Sequence, residues 1–256
     1  MTAFAPVVAA YWLPACSLAP APDYTVKINH DPKAVRSPFA RIETVAGSRV
    51  FSVTAPAAEH LGLTEGMTVT RSVIDAYVAD WGIRWNGVDD ICFLPDGANR
   101  APVLPQAPHG VATRQLTADD AEVFATFNSG CSAEDIDAAF VELDHTLAYG
   151  TFVDGVLVSA ASMYTFGDST LADFGVLTHP DYRERGFGAR TIRGLAVATL
   201  ELGLEPMYRY LLDNQGSERI ARAAGFEVYC QWETGSWPSM DTTTWYSTPG
   251  NGPAST

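Results

Sequence analysis

Basic residues are scarce in this sequence of 256 residues. It has 16 Lys and Arg residues against 30 Asp and Glu residues, so its formal net charge is −14. Binding to a nucleic-acid backbone, or to an anionic membrane surface, depends mainly on clustered cationic side chains. The composition therefore argues against a nucleic-acid partner and against a membrane partner.

Signals for export and for metal binding are also lacking. Cys16, Cys92, Cys131 and Cys230 lie far apart and form no CxxC pair or Cys/His ligand spacing. Such cysteines are typical of free thiols in a reducing compartment, and no metal site is expected. The apolar residues 1–21 have no basic region and are interrupted by prolines, which is unlike a signal peptide or a membrane span. A cytoplasmic location is the default expectation.

Lys and Arg are entirely absent between Arg114 and Arg183. The acidic residues of this stretch are Asp119, Asp120, Glu122, Glu134, Asp135, Asp137, Glu142, Asp144, Asp154, Asp168, Asp173 and Asp181. Such a charge distribution favours a cationic ligand nearby. General acidity that keeps a protein soluble is the alternative interpretation.

Residues 96–109 are rich in proline and glycine and are the predicted linker. Residues 1–100 are predicted to form an irregular extension, up to about residue 38, and then a small α/β unit. The elements expected in that unit are strands 49–53 and 90–94 and helices 55–61 and 69–80.

Residues 111–235 alternate between strand and helix patterns, which predicts an α/β domain with a mixed sheet covered by helices. The expected strands are 111–116, 147–153, 156–164, 171–177, 208–212 and 226–232. The expected helices are 119–127, 133–143, 189–202 and 217–223. Thr117 and Ser132 are predicted helix caps, and Asp154-Gly155 is a predicted hairpin turn. Residues 236–256 are expected to form a flexible tail.

One motif carries chemical information: Arg183-Glu184-Arg185-Gly186-Phe187-Gly188, after a Thr178-His179-Pro180 turn and before an amphipathic helix. Gly186 and Gly188 permit a tight turn with no Cβ between the backbone and a ligand. Successive amides could then converge on a pyrophosphate at the helix start. The spacing matches neither a Walker A loop nor the dinucleotide fingerprint. A glycine turn needed only for conformation is the alternative.

With this motif the sequence resembles the GNAT superfamily of N-acetyltransferases over residues 111–232. Three blocks carry the resemblance in the correct order. They are Gly175 to Gly188, with the Q/R-x-x-G-x-G/A motif at its end, Asp213-Asn214-Gln215-Gly216-Ser217, and Ala224-Gly225-Phe226. The resemblance implies the GNAT fold, preceded here by the N-terminal unit that lies outside it.

The resemblance also implies acetyl-CoA as co-substrate, in a V-shaped gap between the strands that end at Leu177 and Leu212. Backbone amides of Val176 and Leu177 would hold the pantetheine arm and the thioester carbonyl. The other residues expected at the coenzyme are Thr178, Arg183, Glu184, Arg185, Gly186, Phe187, Gly188, Ala189, Asn214 and Ser217. For Asn214 and Ser217, a purely structural helix cap is the alternative.

Acyl transfer to an amine needs a neutral amine, a route for its proton and a polarised thioester carbonyl. Asp173 lies on the expected coenzyme strand and is the first candidate for the base, with a buried structural carboxylate as the alternative. Glu142 and His145 precede a strand that enters the core and are further candidates. A surface cluster at a helix end explains them equally well.

The general acid is less well defined. Many members of the family carry a tyrosine where this chain has Ala221. Tyr210 is the candidate substitute, together with Tyr208 and Tyr229, although aromatic residues on strands usually belong to the core. Protonation of the leaving thiolate by water is the remaining alternative.

The function implied by the resemblance is transfer of an acetyl group from acetyl-CoA to an amine by direct attack on the thioester. The acceptor would be a small-molecule amine, cationic if the acidic stretch lies near it, or a protein. A non-catalytic, CoA-binding regulatory module and a different enzyme with a phosphate-containing ligand are the alternatives. The sequence leaves a homodimer open.

Overall fold

The computed structural model describes residues 3–13, 20–31, 34, 37–97 and 100–236. The strands in this part of the chain are β1 (Tyr24–Asn29), β2 (Phe39–Thr44), β3 (Arg49–Thr54), β4 (Thr68–Val69), β5 (Arg84–Phe93), β6 (Val111–Leu116), β7 (Leu147–Val153), β8 (Val156–Thr165), β9 (Leu171–Thr178), β10 (Glu205–Leu211) and β11 (Glu227–Ser236). The α-helices are α1 (Pro6–Trp12), α2 (Ala55–Leu61), α3 (Arg71–Asp80), α4 (Ala121–Ser129), α5 (Ala133–Ala139), α6 (Phe187–Glu201) and α7 (Gln215–Ala224). Short 3-10 helices, Ala118–Asp120 and Pro180–Tyr182, precede α4 and α6.

Within the described residues, the strands form one 11-stranded mixed sheet in the order β4-β1-β3-β2-β11-β5-β10-β9-β8-β7-β6. Strands β6 to β9 are successively antiparallel, whereas β9 and β10 are parallel and are connected by α6. Adjacent residues of β8 point to opposite faces, so Ala161 packs with α6 and α7 and Ala160 packs with α4 and α5. The expected α/β class with a mixed sheet is confirmed.

Strand β5 precedes the predicted linker, yet it lies between two strands that follow it. It pairs antiparallel with β10 on one side and with β11 on the other, and β11 continues to β2. The sheet is therefore continuous from the N-terminal unit to the C-terminal half. The division of the chain at residues 96–109 stays a prediction, but the hydrogen bonds of the sheet do not stop there.

The prediction of an irregular extension up to residue 38 is wrong for two segments. Residues 6–12 form α1, where Pro6 is tolerated because the first helical turn needs no amide donor. Val8 and Trp12 of this helix are buried in a cluster with Phe93 of β5. Residues 24–29 form β1, parallel to β3. The hydrophobic periodicity of such short elements is hard to recognise in the sequence, because prolines lie next to them.

Several predicted elements have different ends. The expected helix 133–143 is α5 and ends at Ala139, because Phe140 adopts a left-handed conformation with φ 47°. The expected strand 90–94 begins earlier, at Arg84. Ser236 is the last residue of β11, and residues 237–256 of the predicted tail lie outside the described residues, as does Cys16. Cys92, Cys131 and Cys230 are free thiols.

Local turn and cap signals are confirmed. Asp154 and Gly155 have φ angles of 49° and 84°, as the predicted hairpin turn requires. Thr117 forms a capping box with Asp120, and the Ser132 side chain accepts a hydrogen bond from the amide of Asp135. These devices depend on residues within one turn, so they could be predicted from short sequence segments.

Helix α6 is the main element packed on the C-terminal half of the sheet. Ile192, Leu195 and Ala196 are fully buried against it, and complete burial of an aliphatic side chain of this size contributes about 1.5–3 kcal/mol. A Cβ on Gly194 would lie 3.2 Å from the Tyr149 ring, which shows how closely the helix approaches β7. This packing fixes the N-terminus of α6 beside the end of β9. No helix in the described part of the chain has both the length and the apolar character to cross a membrane.

Candidate active site

Strands β9 and β10 pair only over their first halves. Their register runs from Glu205 opposite Leu171 to Tyr208 opposite Phe174. Beyond this point the end of β9 pairs with β8 alone and the end of β10 pairs with β5 alone. The two main chains therefore separate and open a cleft of about 1170 Å³. This cleft is the V-shaped gap expected between the two strands.

The cleft brings together almost all the residues that the motif predicts at the coenzyme. Those that line it are Val176, Leu177, Thr178, Arg183, Glu184, Gly186, Phe187, Gly188, Ala189, Asn214 and Ser217. Arg185 is not among the lining residues, because its guanidinium lies over the Tyr182 ring, 5.4 Å from the centroid. Direct contacts of these residues with a coenzyme stay predictions.

The start of α6 has the properties of an anion site. Gly186 is the N-cap residue with φ 80°, and it has no side chain that could cap the helix. The amide of Arg190 donates to the Gly186 carbonyl at 3.0 Å, which closes the first helical turn. The amides of Phe187, Gly188 and Ala189 precede that bond and have no acceptor within the helix. They point toward the cleft at the positive end of the helix dipole.

Arg183 holds this turn in place. Its Nε donates to the Thr178 carbonyl at 3.1 Å, and its guanidinium lies 3.1 Å from the Asp135 carboxylate. The side chain thus connects the turn to the end of β9 and to α5. The hallmark arginine of the motif has a structural contact on both sides, which explains why the turn keeps its shape.

Asn214 and Ser217 lie at the N-terminus of α7. The Asn214 Oδ1 accepts a hydrogen bond from the Ser217 amide at 3.0 Å, so the cap proposed as the alternative role is present. Both residues also line the cleft. Capping leaves the Asn214 side-chain NH2 group available to the cleft, so a coenzyme contact is compatible with the cap, and the Ser217 hydroxyl is hydrogen-bonded to Tyr208.

The opposite end of the cleft holds a buried charged cluster of Asp173, Arg209 and Asp89. The Arg209 Nε donates to Asp173 Oδ2 at 2.7 Å, and its terminal nitrogen lies 3.5 Å from Asp89 Oδ2. The Tyr164 hydroxyl also donates to Asp173 Oδ2, at 2.8 Å. The other carboxylate oxygen of Asp173 is buried and has no hydrogen-bond partner among the described residues. A buried acceptor of this kind is suited to an N–H donor from a ligand.

The electrostatics of the cluster distinguish its members. Burial raises the pKa of Asp89 to about 6, and the charge of Asp173 adds to the increase while Arg209 opposes it. The pKa of Arg209 is raised: burial favours the neutral form, but Asp173, Tyr164 and Asp89 outweigh it. The guanidinium is therefore a permanent cation beside two carboxylates.

Comparison with known protein families gives a match over this part of the chain. Residues 113–226 match the acetyltransferase (GNAT) family. We call this segment, which is under half of the chain, the GNAT domain after that match. The match begins within β6 and ends after α7, so it includes the whole cleft apart from Asp89.

Solved structures of GNAT proteins are similar to part of this chain. A GCN5-related N-acetyltransferase from Kribbella flavida is 18% identical, with a TM-score of 0.49, and the match covers 65% of this chain and 64% of that one. One from Sphaerobacter thermophilus is 12% identical, with a TM-score of 0.48, and the match covers 68% of this chain and 60% of that one. This chain thus spans less than two thirds of either relative. No curated protein matches the sequence.

Glu142 and His145 do not reach the cleft of the GNAT domain. His145 Nδ1 lies 2.8 Å from the Ser162 hydroxyl and its Nε2 lies 3.6 Å from Glu142. Its ring packs against Phe140 and Tyr164, which do line the cleft. Burial lowers the pKa of His145, and burial together with Asp144 raises the pKa of Glu142. Catalytic roles for Glu142 and His145 stay predictions. Either residue would have to act through the rings of Phe140 and Tyr164.

Tyr210 lies between the cleft and a second cavity of about 560 Å³. Its hydroxyl is hydrogen-bonded to Asp90 and Cys92, and burial is the main reason that its pKa is raised. Ala221 lines the second cavity and not the cleft. Of the other candidate acids, Tyr208 lines the cleft and Tyr229 lines the second cavity.

Sequence reasoning missed Arg209, Asp89 and Tyr164. Arg209 lies on β10, between the candidates Tyr208 and Tyr210, but an isolated arginine in a strand gives no signal of its partner. Asp89 lies outside the resemblance altogether. Adjacent acidic residues at the start of the predicted strand 90–94, Asp89 and Asp90, were the available signal.

Gly175 sets the distance between the end of α5 and β9. A Cβ at this position would lie 2.0 Å from the Ala139 carbonyl oxygen, a backbone atom that cannot move alone. We expect Gly175→Ala to displace the end of α5 and to lower the free energy of unfolding by about 1–3 kcal/mol. Urea denaturation would measure the loss. Gly216→Ala is the control, because its Cβ would lie an ordinary 3.4 Å from Asn214. Equal stabilities of the two variants would contradict this account.

Proposed function

We propose that the GNAT domain transfers an acetyl group from acetyl-CoA to an amine of a small-molecule or protein acceptor. The proposal depends on one observation. The uncapped N-terminus of α6 and the unpartnered oxygen of Asp173 lie in the same cleft. The first is an anion site and the second is an acceptor for an amine N–H. A thioester bound between them would lie within reach of the amine.

The diphosphate of the coenzyme would bind to the amides of Phe187, Gly188 and Ala189. Gly188 lets the start of α6 pack closely on α7 and on the end of β9, because a Cβ there would lie 2.9 Å from Ile220 and 3.0 Å from Thr178. The edge of β9 that faces the cleft has lost its strand partner after Phe174. Main-chain groups of Val176 on that edge are suited to the amide-rich pantetheine arm and to the thioester carbonyl, whereas the Leu177 carbonyl accepts the Ser159 hydroxyl of β8.

The acceptor amine would bind at the Asp173 end. Asp89, Asp173 and Arg209 together carry a net charge of −1 when both carboxylates are ionised, so they attract a cationic amine. The Phe140 and Tyr164 rings lie beside this position and provide an apolar and aromatic wall. A cationic acceptor with its charge close to the reacting nitrogen fits both features.

A non-catalytic CoA-binding module is the second candidate, and Ala221 is the observation that favours it. The helix α7 presents no tyrosine to the cleft, so a general acid for the thiolate is missing from that element. Since water or Tyr208 could supply the proton, the missing tyrosine alone does not abolish transfer.

Release of free thiol from acetyl-CoA, in the presence of a panel of amines, separates the two candidates. The panel would contain a diamine, an uncharged aromatic amine and a peptide with a free N-terminus. We expect amine-dependent thiol release with the highest kcat/KM for a cationic acceptor, and a product heavier by one acetyl group in the mass spectrum. Saturable coenzyme binding without thiol release over any amine would favour the regulatory module.

A further inference from the structure

Strand β5 brings a second carboxylate into the cleft from outside the GNAT domain. Asp89 lies opposite Leu211 of β10 and opposite Trp232 of β11. Its side chain lines the cleft, whereas the next residue, Asp90, points to the opposite face and lines the second cavity. Successive side chains of a strand point to opposite faces of the sheet, so the two neighbouring carboxylates lie in two separate cavities.

Arg209 lies closer to one of the two carboxylates of the cleft than to the other. Its Nε is 2.7 Å from Asp173, but its nearest nitrogen is 3.5 Å from Asp89. Asp173 also accepts the Tyr164 hydroxyl. Two donors therefore hold one oxygen of Asp173 and fix its orientation. Asp89 is 90% buried at its side chain and is the less compensated of the two.

We propose that Asp89 is the general base of the transfer reaction and that Asp173 positions the amine. This inference rests on the proposed acetyl transfer. The N-terminal unit would then supply an essential group to the GNAT domain, which explains why its strand β5 is inserted between β10 and β11. Without β5 the cleft would retain its coenzyme side and lose the group that prepares the acceptor.

The proton transfers balance as follows. The ammonium group of the acceptor gives one proton to an Asp89 oxygen, which later releases it to water. The free electron pair of the nitrogen attacks the thioester carbonyl carbon and forms the C–N bond. The C–S bond then breaks with its electron pair on sulfur, and the thiolate takes up the second proton that the nitrogen loses. The products are the amide, free CoA and one proton.

The surroundings of Asp89 support this role. The charged groups that act on it are Arg209 on β10, Asp173 on β9 and, from the opposite face of β5, Asp90, and Trp232 lies opposite it on β11. Burial raises its pKa to about 6, so it is ionised at neutral pH and still basic enough to accept a proton. Since the active form is the carboxylate, kcat/KM should fall as the pH decreases through about 6.

The test is the pH dependence of kcat/KM for Asp89→Asn, with acetyl-CoA and the best amine of the panel. We expect kcat/KM at pH 7.5 to fall by about 100-fold or more, the acidic limb to disappear, and the Kd of CoA to stay within about twofold, since the coenzyme end is untouched. Asp90→Asn removes a carboxylate from the same strand but from the other cavity, so its profile should keep the limb. Asp89→Glu should retain a limb at a shifted pH, and it serves as the readout if Asp89→Asn does not fold.

Three results would overturn the assignment. One is a normal rate and limb in Asp89→Asn. Another is an unshifted limb in Asp89→Glu, and the third is a limb that is lost in Asp173→Asn but kept in Asp89→Asn. Absence of thiol release in the unaltered protein, with CoA binding intact, would instead contradict acetyl transfer itself. The two failures are therefore distinguishable.

Discussion

Gly186→Glu is expected to weaken acetyl-CoA binding by about 100-fold or more, equivalent to about 2.7 kcal/mol. Gly186 is the N-cap of α6, and a Cβ on it would meet nothing within 4 Å, so the new side chain would project into open space at the cleft. A carboxylate there would occupy the positive end of the helix and would repel the diphosphate. Isothermal titration calorimetry with CoA measures the effect directly.

Backbone strain must be separated from this loss of affinity. Gly186 has φ 80°, and any L-residue at such an angle costs about 1–2 kcal/mol. Gly203→Glu is the matched control, because Gly203 follows the other end of α6 with φ 73° and equally open space around its Cβ position. Both variants should lose stability in thermal unfolding without ligand, Gly203→Glu more so because its carboxylate lies at the negative end of the helix dipole, but only Gly186→Glu should lose CoA affinity. Unchanged affinity in Gly186→Glu would disprove the coenzyme site.

Arg209→Met is expected to lower the free energy of unfolding by about 3–5 kcal/mol at neutral pH. Arg209 is the shared counterion of Asp173 and Asp89, whose side chains are only 3% and 10% exposed. Methionine fills part of the volume but leaves two buried carboxylates without a cation. Urea denaturation at pH 7.5 would measure the loss.

The pH dependence gives Arg209→Met a specific signature. Removal of the cation makes the charged form of the buried carboxylates less favourable, and the pKa of Asp89, which Arg209 lowers, rises further above its unfolded value. The folded variant therefore takes up protons, and its deficit relative to the unaltered protein should shrink as the pH falls from 7.5 toward 5. Arg222→Met is the control, since the Arg222 side chain is 77% exposed in its pair with Glu218 and should contribute about 0–1 kcal/mol. A loss for Arg209→Met no larger than this would contradict the counterion role.

Much of the coenzyme side could be predicted because its signals are local. A glycine at the N-cap of α6, a turn of three residues before it and a helix cap at Asn214 each depend on atoms a few positions apart. The end of α5 could not be predicted in this way. Its apolar period continues past Ala139, but the helix stops where its carbonyl meets Gly175 of β9.

The sequence by itself determined the mixed α/β class, the glycine turn at the start of α6, the hairpin at Asp154-Gly155 and the resemblance to the GNAT superfamily. Each of these rests on backbone preferences or on short-range order along the chain. Only the tertiary structure decided that β5 lies between β10 and β11 and that Arg209 joins Asp173 to Asp89. Strand pairing and buried ion pairs depend on which distant segments meet. Hydrophobic periodicity does not specify those segments, because the same pattern is compatible with many possible neighbours.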